Sequence, residues 1–312
     1  MDLADVRDPV EKYETMSRCA LEAERAGFDA LWLFDHFHTV PAPQHESVFE
    51  CWTSIAALAR DTSTIRLGQM VTSNSYRPPS LLAKMASCID VLSRGRLILG
   101  IGAGWYEHEY LAYGYDYPET PDRLRMLREA LQLIKAMWTQ EEATFEGRFY
   151  QVRGAINEPK PVQKPHPPLW IGGGGERVTL KLVAQYGDAC NIGGDIANVR
   201  HKLEVLREHC EAVGRDYDSI LKTMEFYAVL GDAQEVDRVV RDTARRTGTD
   251  EAFVRSWHPH HGDADRIAEL MHAYADAGIQ YFIVNLPNAF EGGVINRFAE
   301  EVFPRVGLQT QA

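Results

Sequence analysis

The sequence predicts an α/β fold closed as a (β/α)8 barrel, on two observations. Short apolar runs of strand length alternate with helical periodicity almost from end to end, the pattern of parallel strands joined by right-handed crossovers. The chain has 312 residues, enough for a barrel of about 250 residues plus an insertion. No linker or low-complexity tract divides it, so residues 1–312 read as one domain.

The elements follow in order. Residues 9–26 read as a helix, with Pro9 in its first turn, an apolar stripe of Met16, Cys19, Ala20 and Ala23, and Gly27 as its stop. Residues 28–34 (FDALWLF) read as a buried strand and 48–60 as a helix. Residues 65–72 (IRLGQMVT) read as a strand whose internal Gly68 suggests a bulge or close backbone approach. A helix over 79–93 ends at the Ser93-Arg94-Gly95 turn. A strand over 96–102 follows, then helices over 105–112 and 121–139. Between 140 and 167 the rhythm breaks. Phe145, Phe149, Tyr150 and Val152 alternate around Gly147 as a short hairpin, and a proline-rich stretch completes the insertion. Strands over 169–172, 188–193, 220–230 and 279–286 then alternate with helices over 175–186, 196–213, 233–248, 263–277 and 292–303. That makes seven strands. The eighth belongs before the first helix, where Met1–Asp8 is acidic and short, so the first strand is expected to be short or missing.

Charge and cysteine usage narrow the class. The formal net charge is −12, with 45% apolar and 25% charged residues, which speaks against nucleic acid as a partner. An anionic ligand must find a local basic or backbone N–H site against that field. Cys19, Cys51, Cys88, Cys190 and Cys210 are odd in number and lack CxxC spacing, so they read as free, mostly buried thiols in a reducing compartment. No basic-plus-apolar leader stands at the N-terminus, and no apolar run approaches membrane-spanning length. A cytoplasmic location is expected.

In such a barrel, function sits in the loops after the strands. These are Asp35-His36, Thr72–Arg77, Gly102–Glu109, Gly172–Arg177, Asn191–Gly194, Glu225–Tyr227 and Asn285–Asn288. His36 suits proton transfer near neutral pH, and the adjacent Asp35 could set its tautomer. Gly172, Gly173, Gly174 and Gly175 expose backbone N–H groups before a helix, with Glu176 and Arg177 following, which is a phosphate site in physical terms. Gly100, Gly102 and Gly104 are spaced GxGxG at the end of the third strand. That is neither the spacing nor the context of a dinucleotide fingerprint. They read instead as a close-approach turn beside Trp105. Trp257-His258-Pro259-His260-His261 invites a metal reading, but no acidic or thiol ligand adjoins it, so a solvated loop is favoured and no metal is expected.

Together "AGFDALWLFDHF" (26–37), "IRLGQMVTSNSYRPP" (65–79), "IDVLSRGRLILGIGAGWYEHEY" (89–110) and "PPLWIGGGGERVTLKLVAQYGDACNI" (167–192) resemble the luciferase-like monooxygenase superfamily, more closely its branch using the deazaflavin coenzyme F420. The resemblance implies the bacterial luciferase-like (β/α)8 barrel with an insertion, a homodimer, and a ring bound at the barrel mouth. By that likeness His36 is the acid/base or substrate-orienting group over the ring, with Asp35 beside it. A non-prolyl cis peptide behind the ring falls near Met70–Val71, and Met70, Val71, Thr72, Asn74, Gly102, Ala103 and Gly104 bind the cofactor. Gly172–Arg177 takes the cofactor phosphate. Trp32, Phe37 and Trp105 wall a pocket for a small, partly apolar substrate. Sugar-phosphate dehydrogenases of this branch have a glutamate where Trp105 stands, so glucose 6-phosphate is not expected. The alternatives are an FMN-dependent monooxygenase on the same barrel, a non-catalytic deazaflavin-binding barrel, and a metal-dependent hydrolase built on the His258–His261 loop.

Overall fold

A computed structural model of the chain describes residues 8–307. The chain runs α1 (Pro9–Arg25), β1 (Ala30–Leu33), α2 (Cys51–Asp61), β2 (Arg66–Gln69), β3 (Thr72–Ser73), α3 (Pro79–Leu92), β4 (Leu97–Gly102), α4 (Glu107–Ala112), α5 (Thr120–Thr139), β5 (Glu142–Glu146) and β6 (Gln151–Ile156). It continues through β7 (Leu169–Gly172), α6 (Thr179–Tyr186), β8 (Ala189–Asn191), α7 (Ile196–Val213), β9 (Leu221–Leu230), α8 (Ala233–Thr247), α9 (Glu251–Trp257), β10 (His260–Gly262), α10 (Ala264–Asp276), β11 (Tyr281–Asn285) and α11 (Val294–Val302). Asp8 caps α1 by accepting from the Val10 N–H. The expected first strand falls in Met1–Asp8, all but Asp8 outside the described residues.

The described residues group into two compact bodies. One holds Trp32–Ile192 and His201–Leu221; the other holds the residues up to Leu31, Gly193–Arg200 and those from Lys222 onward. In the larger body β2 and β3 pair with β4, β4 with β7, and β7 with β8, all parallel. The core is continuous along β4, where every residue from Leu97 to Gly102 is buried. Buried on both faces, β4 reads as the unbroken apolar run expected of a parallel strand. In the smaller body β9 pairs in parallel with β10 and β11. Helix α8 buries Val236, Val239, Val240 and Ala244 together with Val229 and Val254, the i, i+3, i+4 stripe of an amphipathic helix.

Several expectations shift. β1, read as a buried strand, is half-buried along its length. The strand expected over 65–72 is interrupted at the cis peptide Met70–Val71, which separates β2 from β3. The helix expected from 105 begins at Glu107, and that expected from 175 begins at Thr179. The stretch read as a solvated loop is the end of α9 and the strand β10, with His258 and His260 buried. His260 is enclosed because its ring stacks on Phe226 at 4.1 Å and Nδ1 donates to the Tyr227 carbonyl. The insertion is the antiparallel hairpin β5–β6. Its turn is held by the buried Glu129 carboxylate, which accepts from the N–H groups of Arg148, Phe149 and Tyr150. The five cysteines are free thiols, four of them buried. No described helix is long and apolar enough to cross a membrane.

Candidate functional site

The chain leaves β1 through Asp35 and His36, and the two side chains take different partners. Asp35 is buried and receives two hydrogen bonds from the Arg77 guanidinium, at 2.7 and 2.9 Å, and one from the Ser73 N–H at 3.1 Å. Arg77 also pairs with Glu50, which caps α2 by accepting from the N–H groups of Trp52 and Thr53. Asp35 therefore ties the end of β1 to β3 and α2. It is not the carboxylate that meets His36.

That carboxylate is Glu109, fully buried on α4. Its Oε2 lies 2.8 Å from His36 Nδ1 and accepts from the Tyr76 hydroxyl at 2.5 Å. Its Oε1 accepts from the N–H groups of Phe37 and His38 at 2.6 and 2.8 Å. Burial pushes the Glu109 carboxyl up. The bonds from His36, Tyr76 and His38 outweigh that and hold it below the usual carboxylate range. An ionised carboxylate only accepts, so Nδ1 carries a proton and Nε2 is left as the exchangeable nitrogen. The His36 side chain keeps 20% of its surface. Trp105 and Tyr106 stand edge-on to its ring, each at 5.8 Å. Glu109 lies 73 residues from His36. The available signal was its place on the helix that follows the third glycine of the GxGxG turn.

The glycines of that turn answer to the chain beside them. A Cβ on Gly100 would run into the Gln69 carbonyl, one on Gly102 would come within 2.7 Å of Val71 Cγ2, and one on Gly172 within 2.5 Å of Val71 Cγ1. Gly104 has φ +77°, and a Cβ there would meet the Tyr110 hydroxyl and, at 2.6 Å, Ser73 Oγ. Met70 and Thr72 are buried, and Thr72 Oγ1 accepts from the Trp52 indole at 3.1 Å. Asn74 donates to the Tyr150 hydroxyl at 3.2 Å, while its buried Oδ1 has no partner. Gln69 is fully buried with both amide atoms unpartnered.

Of the predicted pocket walls, Trp105 is 59% exposed next to His36. Trp32 packs on Trp170, with ring centroids 4.5 Å apart, over the space left by Gly68. Phe37 joins Tyr76 and Tyr113 at 4.6 and 4.5 Å. The structure thus brings Trp105 to His36 and draws the other two side chains into separate aromatic packing.

After β7 the chain passes through Gly172–Arg177 before α6 begins. The Gly173 N–H is already taken by the Asn191 carbonyl at 3.1 Å, and the N–H groups of Gly174–Arg177 make no backbone hydrogen bond among the described residues. A Cβ on Gly174 would collide with the Lys202 ammonium, which arrives from α7. Lys202 is the cation that sequence reasoning missed, because it lies on the following helix. His201 pairs with Glu176 at 3.2 Å.

The chain matches the family described as luciferase-like monooxygenase over residues 3–284. It is 30% identical to an F420-dependent glucose-6-phosphate dehydrogenase of Kineococcus radiotolerans, covering 91% of this chain and 90% of that one. Among solved structures it resembles an F420-dependent secondary alcohol dehydrogenase in complex with an F420–acetone adduct (TM-score 0.78, 21% identity, 95% of each chain). It also resembles the FMN complex of a type II Baeyer-Villiger monooxygenase of Pseudomonas putida (TM-score 0.75, 18% identity, 98% and 96% of the chains). The fold is the luciferase-like (β/α)8 barrel.

Proposed function

Because the chain belongs to the luciferase-like monooxygenase family, we propose that it is an F420-dependent oxidoreductase moving a hydride between the coenzyme and a small, partly apolar organic substrate. The observation that carries this is His36, with Nδ1 held by the buried Glu109 carboxylate and Nε2 left to exchange a proton. The reduction of a C=C or C=N bond and the oxidation of an alcohol each need one proton moved along with the hydride. A positioned imidazole supplies it.

The residues present fit the anionic arm of such a coenzyme. Gly174 leaves room for the Lys202 side chain, whose ammonium lies where a Cβ would sit, and the N–H groups of Gly174–Arg177 make no backbone hydrogen bond among the described residues. Such N–H groups beside a cation favour a phosphate oxygen. When bound, the deazaflavin supplies two-electron hydride chemistry without activating oxygen. His36 takes the substrate hydroxyl proton at Nε2 in oxidation or returns it in reduction, and Glu109 offsets the imidazolium charge. Glu109 acts through His36 and is a positioning residue. Asp35 and Arg77 fix the backbone from which His36 projects. Trp105, at the position where the sugar-phosphate branch has an acid, supports an apolar substrate over glucose 6-phosphate. The reading includes a homodimer, supported by the family resemblance, and a reducing cytoplasm, supported by five free thiols.

The test is a binding and turnover screen. Quenching of F420 fluorescence by the purified protein, with little FMN binding, is expected. His36→Ala is expected to keep that binding and lose about 10²–10⁴-fold in kcat. Tight FMN binding with none of F420 would favour the monooxygenase reading. Cofactor binding with no turnover in the wild type would leave a binding protein, and turnover unchanged in His36→Ala would take the imidazole out of the chemistry.

A further inference from the structure

We infer that Glu225 and Tyr227 on β9 form a binding site for an organic ammonium group, with the Trp257 ring as its outer wall. The two residues alternate on one strand and so share a face. The parallel register sets Glu225 opposite Ile283 and Tyr227 opposite Asn285 of β11. The Tyr227 hydroxyl donates to Glu225 Oε1 at 3.3 Å. A carboxylate offers about four acceptor sites. Among the described residues Tyr227 is its hydrogen-bond partner and no cation pairs with it. Both side chains are half-buried, so a ligand group can reach them.

The surroundings choose the ligand class. The Tyr227 ring stands edge-on to Trp257 at 6.2 Å and to His258 at 5.5 Å. Trp257 is 40% exposed. His258 is not the missing counter-charge: burial pulls its pKa down against its bonds to the Val254 carbonyl and the Asn285 side chain, so the ring is neutral. Burial likewise pushes the Glu225 carboxyl up to about 7, with Tyr227 drawing it back. A cation arriving here restores an ordinary carboxylate and gains from the aromatic faces. An alcohol supplies only a neutral hydrogen bond. A divalent ion asks for more ligands, and no group of three His, Cys, Asp or Glu side chains placed to hold a metal ion occurs among the described residues.

Benzylammonium and its neutral isostere benzyl alcohol are the probes, added to the full chain without cofactor. Binding is read by saturation-transfer NMR, and the Glu225 titration by carboxyl infrared difference spectra between wild type and Glu225→Gln. Benzylammonium is expected to bind at least tenfold better than benzyl alcohol. It should lose that advantage in Glu225→Gln and largely keep it in Tyr227→Phe, which retains the ring. Each tenfold preference for the ionised form lowers the carboxyl midpoint by about one pH unit. Equal binding of the two probes, undiminished ammonium binding by Glu225→Gln, or a wild-type midpoint that benzylammonium does not move would overturn the inference. The comparison of the two probes on the wild type stands even if the variant folds poorly. No arm uses F420, so failure here leaves the proposed cofactor untouched, and the reverse holds too.

Discussion

Glu109 and Glu225 are both carboxylates drawn out of water, and they end at opposite protonation tendencies. Glu109 accepts from two side chains and two backbone amides, and its carboxyl is held low. Its contribution to stability is present above the unfolded value of about 4.3 and is lost as pH falls through its lower folded value. Glu109→Gln is therefore expected to destabilise by roughly 2–4 kcal/mol at pH 7, with the difference shrinking below about pH 4. Urea unfolding at both pH values checks it. Glu225 has one hydroxyl against burial and is held up, to about 7. Its stabilising contribution belongs to the protonated form, complete below the ordinary carboxylate value and lost as pH rises through about 7. Glu225→Gln should gain on wild type between pH 5 and 8. A variant whose relative stability is flat across that window would contradict a carboxyl raised by desolvation.

At the scale of elements, β2, β3, β4 and β7 meet around Val71. Gly102 and Gly172 leave room for its two methyl groups, and Gly100 leaves room for the Gln69 carbonyl. Gly102→Ala is expected to cost roughly 1–3 kcal/mol by overpacking. Val71→Ala in the same chain should return part of that, as a coupling of about 0.5–3 kcal/mol in a double-mutant cycle. Additivity would show that the two do not compete for one space. Gly100→Ala has a backbone carbonyl in its way and should be worse than Gly102→Ala. The loop after β7 gives a parallel case with a ligand. Lys202→Ala should weaken F420 binding about tenfold, near 1.4 kcal/mol, with melting unchanged in the absence of cofactor.

For the whole molecule, a ligand that binds only the folded chain adds stability by mass action. At one hundred times its Kd, F420 is expected to contribute about 2.7 kcal/mol, a rise in melting temperature of roughly 4 °C for a chain of this size. FMN at the same concentration should give little. Sedimentation at micromolar concentration should return twice the mass of one chain, and a monomer there would remove the homodimer from the reading.

Much of this was local and therefore legible. The strand–helix rhythm, the glycine turns and the strand-end stretches holding His36, Glu109, Gly174 and Glu225 all depend on periodicity and backbone freedom within a few residues. The cis peptide at Met70–Val71 fell near where the family resemblance, rather than the local pattern, had placed it. Partner choice was not local. Asp35 and His36 are neighbours, and successive side chains leaving a strand point to opposite sides, so Asp35 went to Arg77 while His36 met a carboxylate 73 residues away. Lys202 reached the glycine loop from the next helix, and His258 and His260 of the Trp257–His261 stretch became buried against rings on β9. The sequence by itself determined the fold class and the loops where chemistry sits, because those follow from short-range pattern. Only the tertiary structure decided which charge faces which, because that depends on the directions in which distant elements deliver their side chains.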